Sequence, residues 1–244
     1  MPYCIVAFFY RLAYWLVRGV LWFYYDIRVE GKENRPKGTA AIFASNHRSY
    51  LDPVLVVFGC PHPFNYIAKE ELFQIPLLRP LIRMMGAFPA TDSNDPNYNM
   101  LDEAAKRLHK RRHMVIFPEG TRHTNGKVGR GKIGVCLLSA KSGKPVIPVG
   151  LIFNSTNLHF RSKICIRLGK PIYPSEYGIT ADSNPHEMHA MRNAIMTQIK
   201  ALVEENPPFP IVHDQPKKLT AIEQQHEQRK KELEERRPCR SSCA

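Results

Sequence analysis

Two short apolar segments of this chain run directly into polar loops, and this pattern limits the folds that the chain can adopt. Residues 40–44 have the pattern of a strand and lead into the polar segment 46–53. Residues 114–117 have the pattern of a buried strand and lead into the charged segment 118–122. Short apolar strands of this kind, alternating with helical segments, are typical of α/β domains, whose sites lie in the loops at strand ends.

Helical patterns lie between and after these segments. Residues 96–112 form an amphipathic pattern, residues 131–142 read as a helix before a strand over 146–153, and residues 186–205 repeat apolar side chains at helical spacing. A length of 244 residues suits one well-packed domain and is short for two. We predict a single α/β domain over residues 28–206, with a mixed central sheet flanked by helices.

The N-terminal residues 3–25 are the most apolar part of the chain and predict a helix about 35 Å long. Arg11 and Arg18 are seven residues apart and fall on one face of that helix, which argues against a simple membrane span. The aromatic side chains, Trp15 and Trp22 among them, suit the headgroup level of a bilayer. We expect residues 1–27 to form a membrane-docking segment. A helix or helical hairpin buried on the protein's own core is the alternative.

The net charge of +13 predicts attraction to polyanions, namely nucleic acid, an anionic membrane surface or phosphate-bearing substrates. A nucleic-acid-binding protein is disfavoured because the aromatic residues collect at the N-terminus instead of alternating with the basic clusters. The six cysteines form no metal-ligand spacing, so no metal site is predicted. Cys60, Cys136 and Cys165 are expected to be buried free thiols.

A proline-rich segment at 207–210 breaks the chain, and the residues after it are highly charged. This composition predicts a solvated helix or a disordered tail over residues 207–244.

His47 and Asp52 follow the strand over 40–44 at a spacing that permits a catalytic pair. Asp52 and Pro53 form a good helix start, with His47 in the loop before it. The loop can therefore fold the imidazole back onto the carboxylate. A carboxylate on one ring nitrogen fixes the tautomer, so that the other nitrogen can take a proton from a hydroxyl.

The loop at 118–122 offers groups suited to a phosphate-bearing substrate. Arg122 presents a planar fork for phosphate oxygens, Glu119 can accept hydrogen bonds from hydroxyls, and Gly120 permits close approach of the backbone. A salt-bridged surface turn is the alternative if this loop is considered alone.

Together these motifs resemble the glycerolipid acyltransferase family, in particular the 1-acylglycerol-3-phosphate acyltransferases. The family's N-H-x4-D motif matches Asn46, His47 and Asp52, and its F-P-E-G-T-R motif matches residues 117–122 without a gap. Its second motif is similar to residues 69–73 with Pro76, and its fourth to residues 145–149. The resemblance covers roughly residues 28–175.

The resemblance implies direct acyl transfer, without a covalent acyl-enzyme, a metal or a cofactor. His47 would deprotonate the sn-2 hydroxyl of 1-acylglycerol-3-phosphate, which attacks the thioester of acyl-CoA or acyl carrier protein to give phosphatidate. Asp52 would orient the imidazole. In the F-P-E-G-T-R motif Glu119, Gly120, Thr121 and Arg122 would bind substrate.

Lys69 of the second motif would hold the phosphate together with Arg122. The implied location is the cytoplasmic face of a membrane, such as a bacterial inner membrane, with peripheral or monotopic attachment to the phospholipid surface.

One position departs from the family pattern. Asp92 stands where the family places an arginine after the second motif, which reverses a charge near the expected phosphate or donor site. Another lysophospholipid or glycerol-3-phosphate therefore stays open as the acceptor. A membrane scaffold that kept the fold without activity is the alternative from another functional class. Acyl-chain length, donor type and oligomeric state do not follow from the sequence.

Overall fold

A computed structural model describes residues 3–58, 63–76, 78–84, 86–91, 99–110, 112–123 and 126–211. In these residues, seven strands form one sheet: β1 (Asp26–Glu30), β2 (Ile42–Ser45), β3 (Phe64–Ala68), β4 (Ala87–Pro89), β5 (His113–Ile116), β6 (Val146–Phe153) and β7 (Lys163–Leu168). The α-helices are α1 (Tyr3–Tyr24), α2 (Asp52–Phe58), α3 (Leu78–Met84), α4 (Met100–His109), α5 (Gly134–Ser142) and α6 (His189–Glu204).

The strand order across the sheet is β1-β7-β6-β2-β5-β3-β4. Strands β6, β2, β5, β3 and β4 run parallel to one another, whereas β7 is antiparallel to β6 and parallel to β1. The carboxyl ends of the five parallel strands therefore share one edge of the sheet, called the catalytic edge below. The loops after β2, β5 and β3 carry the motif residues at this edge.

Two apolar layers cover the two faces of the sheet. Alternate residues of β2 point to opposite layers, with Phe43 in one and Ile42 and Ala44 in the other. The first layer includes side chains of α1 and α2, and the second includes side chains of α4, α5 and α6. All eight residues of β6 are buried, as expected for a central strand covered on both sides. The predicted mixed sheet flanked by helices is confirmed.

The predicted helices are present, with later starts than the sequence pattern suggested. Helix α4 begins at Met100 because the side chain of Asn99 caps it, accepting from the Leu101 N–H at 2.9 Å. Helices α5 and α6 begin three residues after the predicted positions, at Gly134 and His189.

The packed part of the chain continues beyond the predicted start of the tail. Phe209 is buried beside Ile152 and Cys165, so residues just after 207 belong to the domain's apolar packing. The remainder of the predicted tail, from residue 212 onward, lies outside the described residues. Cys136 and Cys165 are buried free thiols as predicted, whereas Cys60 lies outside the described residues.

Helix α1 covers nearly all of the predicted N-terminal helix. Within the described part of the chain, no helix has both the length and the apolar character needed to cross a bilayer. Leu21 and the adjoining Tyr25 are buried against the sheet layer, whereas Trp15 and Trp22 are 60% and 70% exposed. The helix therefore packs on the domain along one stripe and presents a wide apolar face outward.

Candidate active site

The loop after β2 is anchored by the buried side chain of Asn46. Its amide nitrogen donates to the Leu151 carbonyl at 3.1 Å, and its amide oxygen accepts from the Leu151 N–H at 2.8 Å. These two hydrogen bonds continue the pairing of β2 with β6 by means of a side chain. The next residue, His47, therefore leaves the sheet from a fixed point.

The imidazole of His47 meets the carboxylate of Asp52 at the start of α2. The distance from Nδ1 to Oδ2 is 2.7 Å, and Asp52 is fully buried. The same oxygen accepts the backbone N–H of Arg48 at 2.5 Å and that of Ser49 at 2.8 Å. The loop is thus closed around the carboxylate, and the structure brings together the two residues that the sequence predicted as a pair.

This contact defines the chemistry available at the other ring nitrogen of His47. A carboxylate only accepts hydrogen bonds, so Nδ1 carries the hydrogen and Nε2 keeps its lone pair. Among the described residues Nε2 has no hydrogen-bond partner, and the side chain is 19% exposed. The imidazole is therefore arranged to accept a proton from a group that approaches from solvent.

Phe117 supports the imidazole from the loop after β5. Its ring stacks on the His47 ring with centroids 4.1 Å apart and planes 20° from parallel. The stacked ring restricts rotation of the imidazole, which the contact with Asp52 alone leaves free to tilt. The sequence placed Phe117 in a motif without indicating this role.

Glu119 lies under the site instead of at its surface. Its side chain is 1% exposed, and Oε1 accepts the backbone N–H of His47 at 2.9 Å. Oε2 accepts the backbone N–H of Gly129 at 2.9 Å and lies 3.3 Å from Nε2 of His123. The carboxylate expected to contact substrate is thus occupied by groups of the protein. His123 and Gly129 had no signal in the sequence.

Gly120 adopts a left-handed conformation, with φ of 72°, and a lysine lies close to it. A Cβ atom added there would lie 2.8 Å from Nζ of Lys132. The backbone N–H of Lys132 donates to the Pro118 carbonyl at 2.8 Å, which holds this exposed lysine beside the motif. The left-handed conformation therefore favours glycine at position 120, and a side chain there would have to displace the Lys132 ammonium group.

Arg122 and Thr121 are exposed at the catalytic edge. The guanidinium carbon of Arg122 lies 3.5 Å from the centre of the Tyr50 ring, which is itself 80% exposed and comes from the loop after β2. This cation–π contact holds Arg122 beside the loop that carries His47. No sequence pattern indicated a role for Tyr50.

The remaining predicted site residues lie in different places. Lys69 is exposed and follows β3 at the catalytic edge, two strands away from β2. Asp92, the departure from the family pattern, lies outside the described residues.

Arg48 is partly buried over the Phe153 ring at 4.9 Å. Burial lowers the pKa of its guanidinium, and the charge of Asp52 opposes that shift.

The residues expected at a membrane separate into two groups. Trp15 and Trp22 face outward on α1, and nothing is described of the Arg11 side chain. Arg18 instead faces the domain, where it donates to the carbonyl of Phe58, the last residue of α2. Its guanidinium also lies 4.3 Å from the centre of the Phe58 ring. The Phe58 carbonyl has no partner within its own helix, which explains why the Arg18 guanidinium binds it. Arg18 therefore differs from the prediction that it contacts lipid.

Several known proteins are similar to this chain. A model of the acyltransferase family matches residues 26–152, slightly more than half of the chain. The chloroplastic 1-acyl-sn-glycerol-3-phosphate acyltransferase LPAT1 of Arabidopsis thaliana is 35% identical over 132 residues, which cover 53% of this chain and 36% of the relative. The 1-acyl-sn-glycerol-3-phosphate acyltransferase of Borreliella burgdorferi is 30% identical over 148 residues, which cover 60% of this chain and 58% of the relative.

A solved structure extends the likeness to three dimensions. The crystal structure of the 1-acyl-sn-glycerophosphate (LPA) acyltransferase PlsC from Thermotoga maritima superposes with a TM-score of 0.62 at 28% sequence identity. The superposition covers 84% of this chain and 79% of that one. The matches to the two sequence relatives span only about a third to three fifths of their length.

Proposed function

This chain belongs to the acyltransferase family, and on that premise we propose that it acylates the sn-2 hydroxyl of 1-acylglycerol-3-phosphate to give phosphatidate in phospholipid biosynthesis. The observation that carries the proposal is the contact of 2.7 Å between His47 and the buried Asp52, in a loop whose Tyr50 ring contacts the exposed Arg122. A base for the hydroxyl and a cation for the phosphate thus lie at one edge of the sheet. The names of the relatives supply the substrate class.

The reaction proceeds by two proton transfers and one displacement. Nε2 of His47 removes the proton of the acceptor hydroxyl while its oxygen attacks the thioester carbon. The new ester C–O bond forms, the C–S bond breaks, and the imidazolium returns the proton to the departing thiolate. The Asp52 carboxylate stabilises the positive charge that His47 carries between these two transfers.

Arg122 and Lys69 bind the phosphate of the acceptor in this proposal. Both side chains are exposed at the catalytic edge, and a guanidinium matches the geometry of phosphate oxygens. Exposed Lys132 beside Gly120 adds a third cation to this edge. The donor is a thioester of CoA or of acyl carrier protein, and the chemistry needs neither a metal nor another cofactor.

We further propose that the protein works at the cytoplasmic face of a membrane, with peripheral or monotopic attachment. The support is the outward face of α1, where large apolar side chains are between 40% and 70% exposed. These side chains are Leu12, Trp15, Leu16, Val17, Val20, Trp22, Phe23 and Tyr24. Phe160, from the loop between β6 and β7, extends this face through ring contacts with Phe23 and Tyr24.

The first experiment measures free thiol released from palmitoyl-CoA by the detergent-purified protein, with and without lysophosphatidate. We expect release that depends on lysophosphatidate and that falls at least about 100-fold in His47→Ala, because the general base is removed. His186→Ala, which changes an exposed histidine before α6, is the matched control and should retain the wild-type rate. The same assay with palmitoyl-acyl carrier protein identifies the donor.

The other acceptors are outcomes of this experiment. Release with a different lysophospholipid or with glycerol-3-phosphate, but not with lysophosphatidate, would move the assignment to that acceptor and implicate Asp92. No release with any acceptor and either donor would contradict the enzyme proposal and leave a membrane scaffold as the function.

A further inference from the structure

The loop that carries His47 is held by two carboxylates from opposite sides. Asp52 binds the imidazole ring, and Glu119 binds the backbone N–H of the same residue at 2.9 Å. Both carboxylates are buried, with 0% and 4% of each residue exposed. A buried carboxylate is costly unless its oxygens accept hydrogen bonds, so contacts of this kind have to be specific.

Each oxygen of Glu119 has a backbone partner. Oε1 accepts from His47 and Oε2 accepts from Gly129, both at 2.9 Å, and His123 Nε2 lies 3.3 Å from Oε2. The backbone N–H of His123 also donates to the His47 carbonyl at 2.7 Å. Both polar groups of the His47 backbone are therefore fastened to the segment after β5, one by a side chain and one by the backbone.

A side chain at position 129 would press on the groups that contact the Glu119 carboxylate. A Cβ atom at position 129 would lie 2.4 Å from Nε2 of His123 and 2.9 Å from Oε2 of Glu119. With both oxygens occupied and 1% of the side chain exposed, the carboxylate offers no surface to a substrate hydroxyl.

We propose that Glu119 is a positioning residue that fixes the backbone of His47, and that it does not contact the acceptor. This inference rests on the proposed function, because His47 must be the base for its position to matter. It replaces the role suggested by the family resemblance, which assigned Glu119 to substrate binding. The base has to stay within a fraction of an ångström of its productive position, and the hydrogen bond from Glu119 supplies that restraint.

The test separates kcat from KM in Glu119→Gln, which keeps the shape of the side chain but places an amide N–H₂ against a backbone N–H. We expect kcat to fall at least about 30-fold while the KM for lysophosphatidate stays within about twofold, since only the base is displaced. Glu33→Gln, at an exposed carboxylate, is the matched control and should leave both constants unchanged. Arg122→Gln gives the reference for a substrate contact, with a raised KM.

A rise in the KM of Glu119→Gln with kcat retained would overturn the inference in favour of a substrate contact. The folded fraction of each variant is measured by circular dichroism before the kinetics. If Glu119→Gln does not fold, Glu119→Asp takes its place, because the shorter side chain withdraws its carboxylate from the backbone N–H of His47. The same fall in kcat at constant KM is expected, and a wild-type kcat would contradict the inference.

Hydrogen–deuterium exchange distinguishes failure of this inference from failure of the proposed function. A peptide that covers residues 45–50 should exchange faster in Glu119→Ala than in the wild type, because the His47 N–H then has no side-chain acceptor. Faster exchange in a protein whose wild type shows no acyl transfer would keep the structural role and reject the function. Unchanged exchange would reject the positioning role even if activity were present.

Discussion

One oxygen of Asp52 accepts three hydrogen bonds, from the His47 ring and from the backbone of Arg48 and Ser49. Its other oxygen is buried and has no hydrogen-bond partner among the described residues. The carboxylate therefore shapes the loop through its contacts, and in the proposed mechanism its charge also supports the imidazolium. An amide at this position retains the first function and loses the second.

Asp52→Asn is expected to lower kcat at least about 100-fold with little change in the KM for lysophosphatidate. The amide oxygen can still accept the two backbone N–H groups, so the loop keeps its shape while the imidazolium loses a counter-charge. Initial rates of thiol release measure the effect, and thermal unfolding verifies that the variant is folded. A rate within about threefold of the wild type would show that the charge of Asp52 is not needed.

Cys136 and Cys165 are expected to resist alkylation in the folded protein. Burial raises the pKa of Cys136 to about 12 and that of Cys165 to about 11. Both thiols therefore stay protonated at pH 8, and alkylation is slow because the reactive form is the thiolate. Peptide mapping after iodoacetamide treatment should find both unmodified in buffer and modified in urea. The raised values also imply that high pH destabilises the fold, because the unfolded thiols ionise near pH 9 while the folded ones do not.

The sequence predicted that His47 and Asp52 lie together but not how the loop around them is held. The pairing of His47 with Asp52 followed from a strand, a loop and a helix start, all of which are local signals. The burial of Glu119 depends on Gly129, ten residues further along the chain, and on a loop from another strand. Such contacts between loops arise from the order of the strands, which spacing within one motif does not contain.

Helix α1 illustrates the same limit at the level of an element. The periodicity predicted a helix with arginines on one face and apolar residues on the other, and Trp15 and Trp22 are indeed exposed. The periodicity did not predict which face of the helix packs against the rest of the protein. The stripe of Tyr14 and Arg18 packs on α2, where the Tyr14 hydroxyl donates to the Phe58 carbonyl at 3.0 Å.

Variants on the two faces of α1 should therefore affect different properties, namely the stability of the fold and the binding to vesicles. Arg18→Ala is expected to lower the free energy of unfolding by about 1–2 kcal/mol, because the end of α2 loses a charged donor, with little change in vesicle binding. The double change Trp15→Ser and Trp22→Ser should weaken vesicle binding several-fold and alter the stability by less than about 0.5 kcal/mol. Urea unfolding and vesicle co-sedimentation measure the two effects. An equal loss of vesicle binding in both would place Arg18 at the lipid.

At the scale of the whole molecule, the strand order was the part that the sequence could least predict. The α/β class followed from alternating apolar strands and amphipathic helices. The position of β1 beside β7, and the reversal of β7 against β6, depend on pairing between distant segments. The apolar pattern of β1 and β7 suits several neighbours, so sequence alone leaves their partners undetermined.

The net charge of +13 predicts how attachment to lipid responds to salt. Binding to vesicles that contain phosphatidylglycerol should weaken as NaCl rises from about 0.05 to about 0.5 M, because the Debye length shortens and exposed cations are screened. Binding to neutral phosphatidylcholine vesicles should change much less, since it depends on the apolar face of α1. A co-sedimentation series measures both, and equal salt dependence on the two lipids would contradict the electrostatic contribution.

The pairing of β1 with β7 also sets an order of events during synthesis. In the described part of the chain β1 pairs with no strand other than β7, so β1 cannot join the sheet until residue 168 has been synthesised. From residue 30 onward, that interval lasts about 7 to 28 seconds at ribosomal speeds of about 5–20 residues per second. Throughout it, α1 is complete while the sheet edge that will adjoin it does not yet exist. The nascent chain therefore presents its apolar helix to the surroundings well before the enzyme has a closed fold.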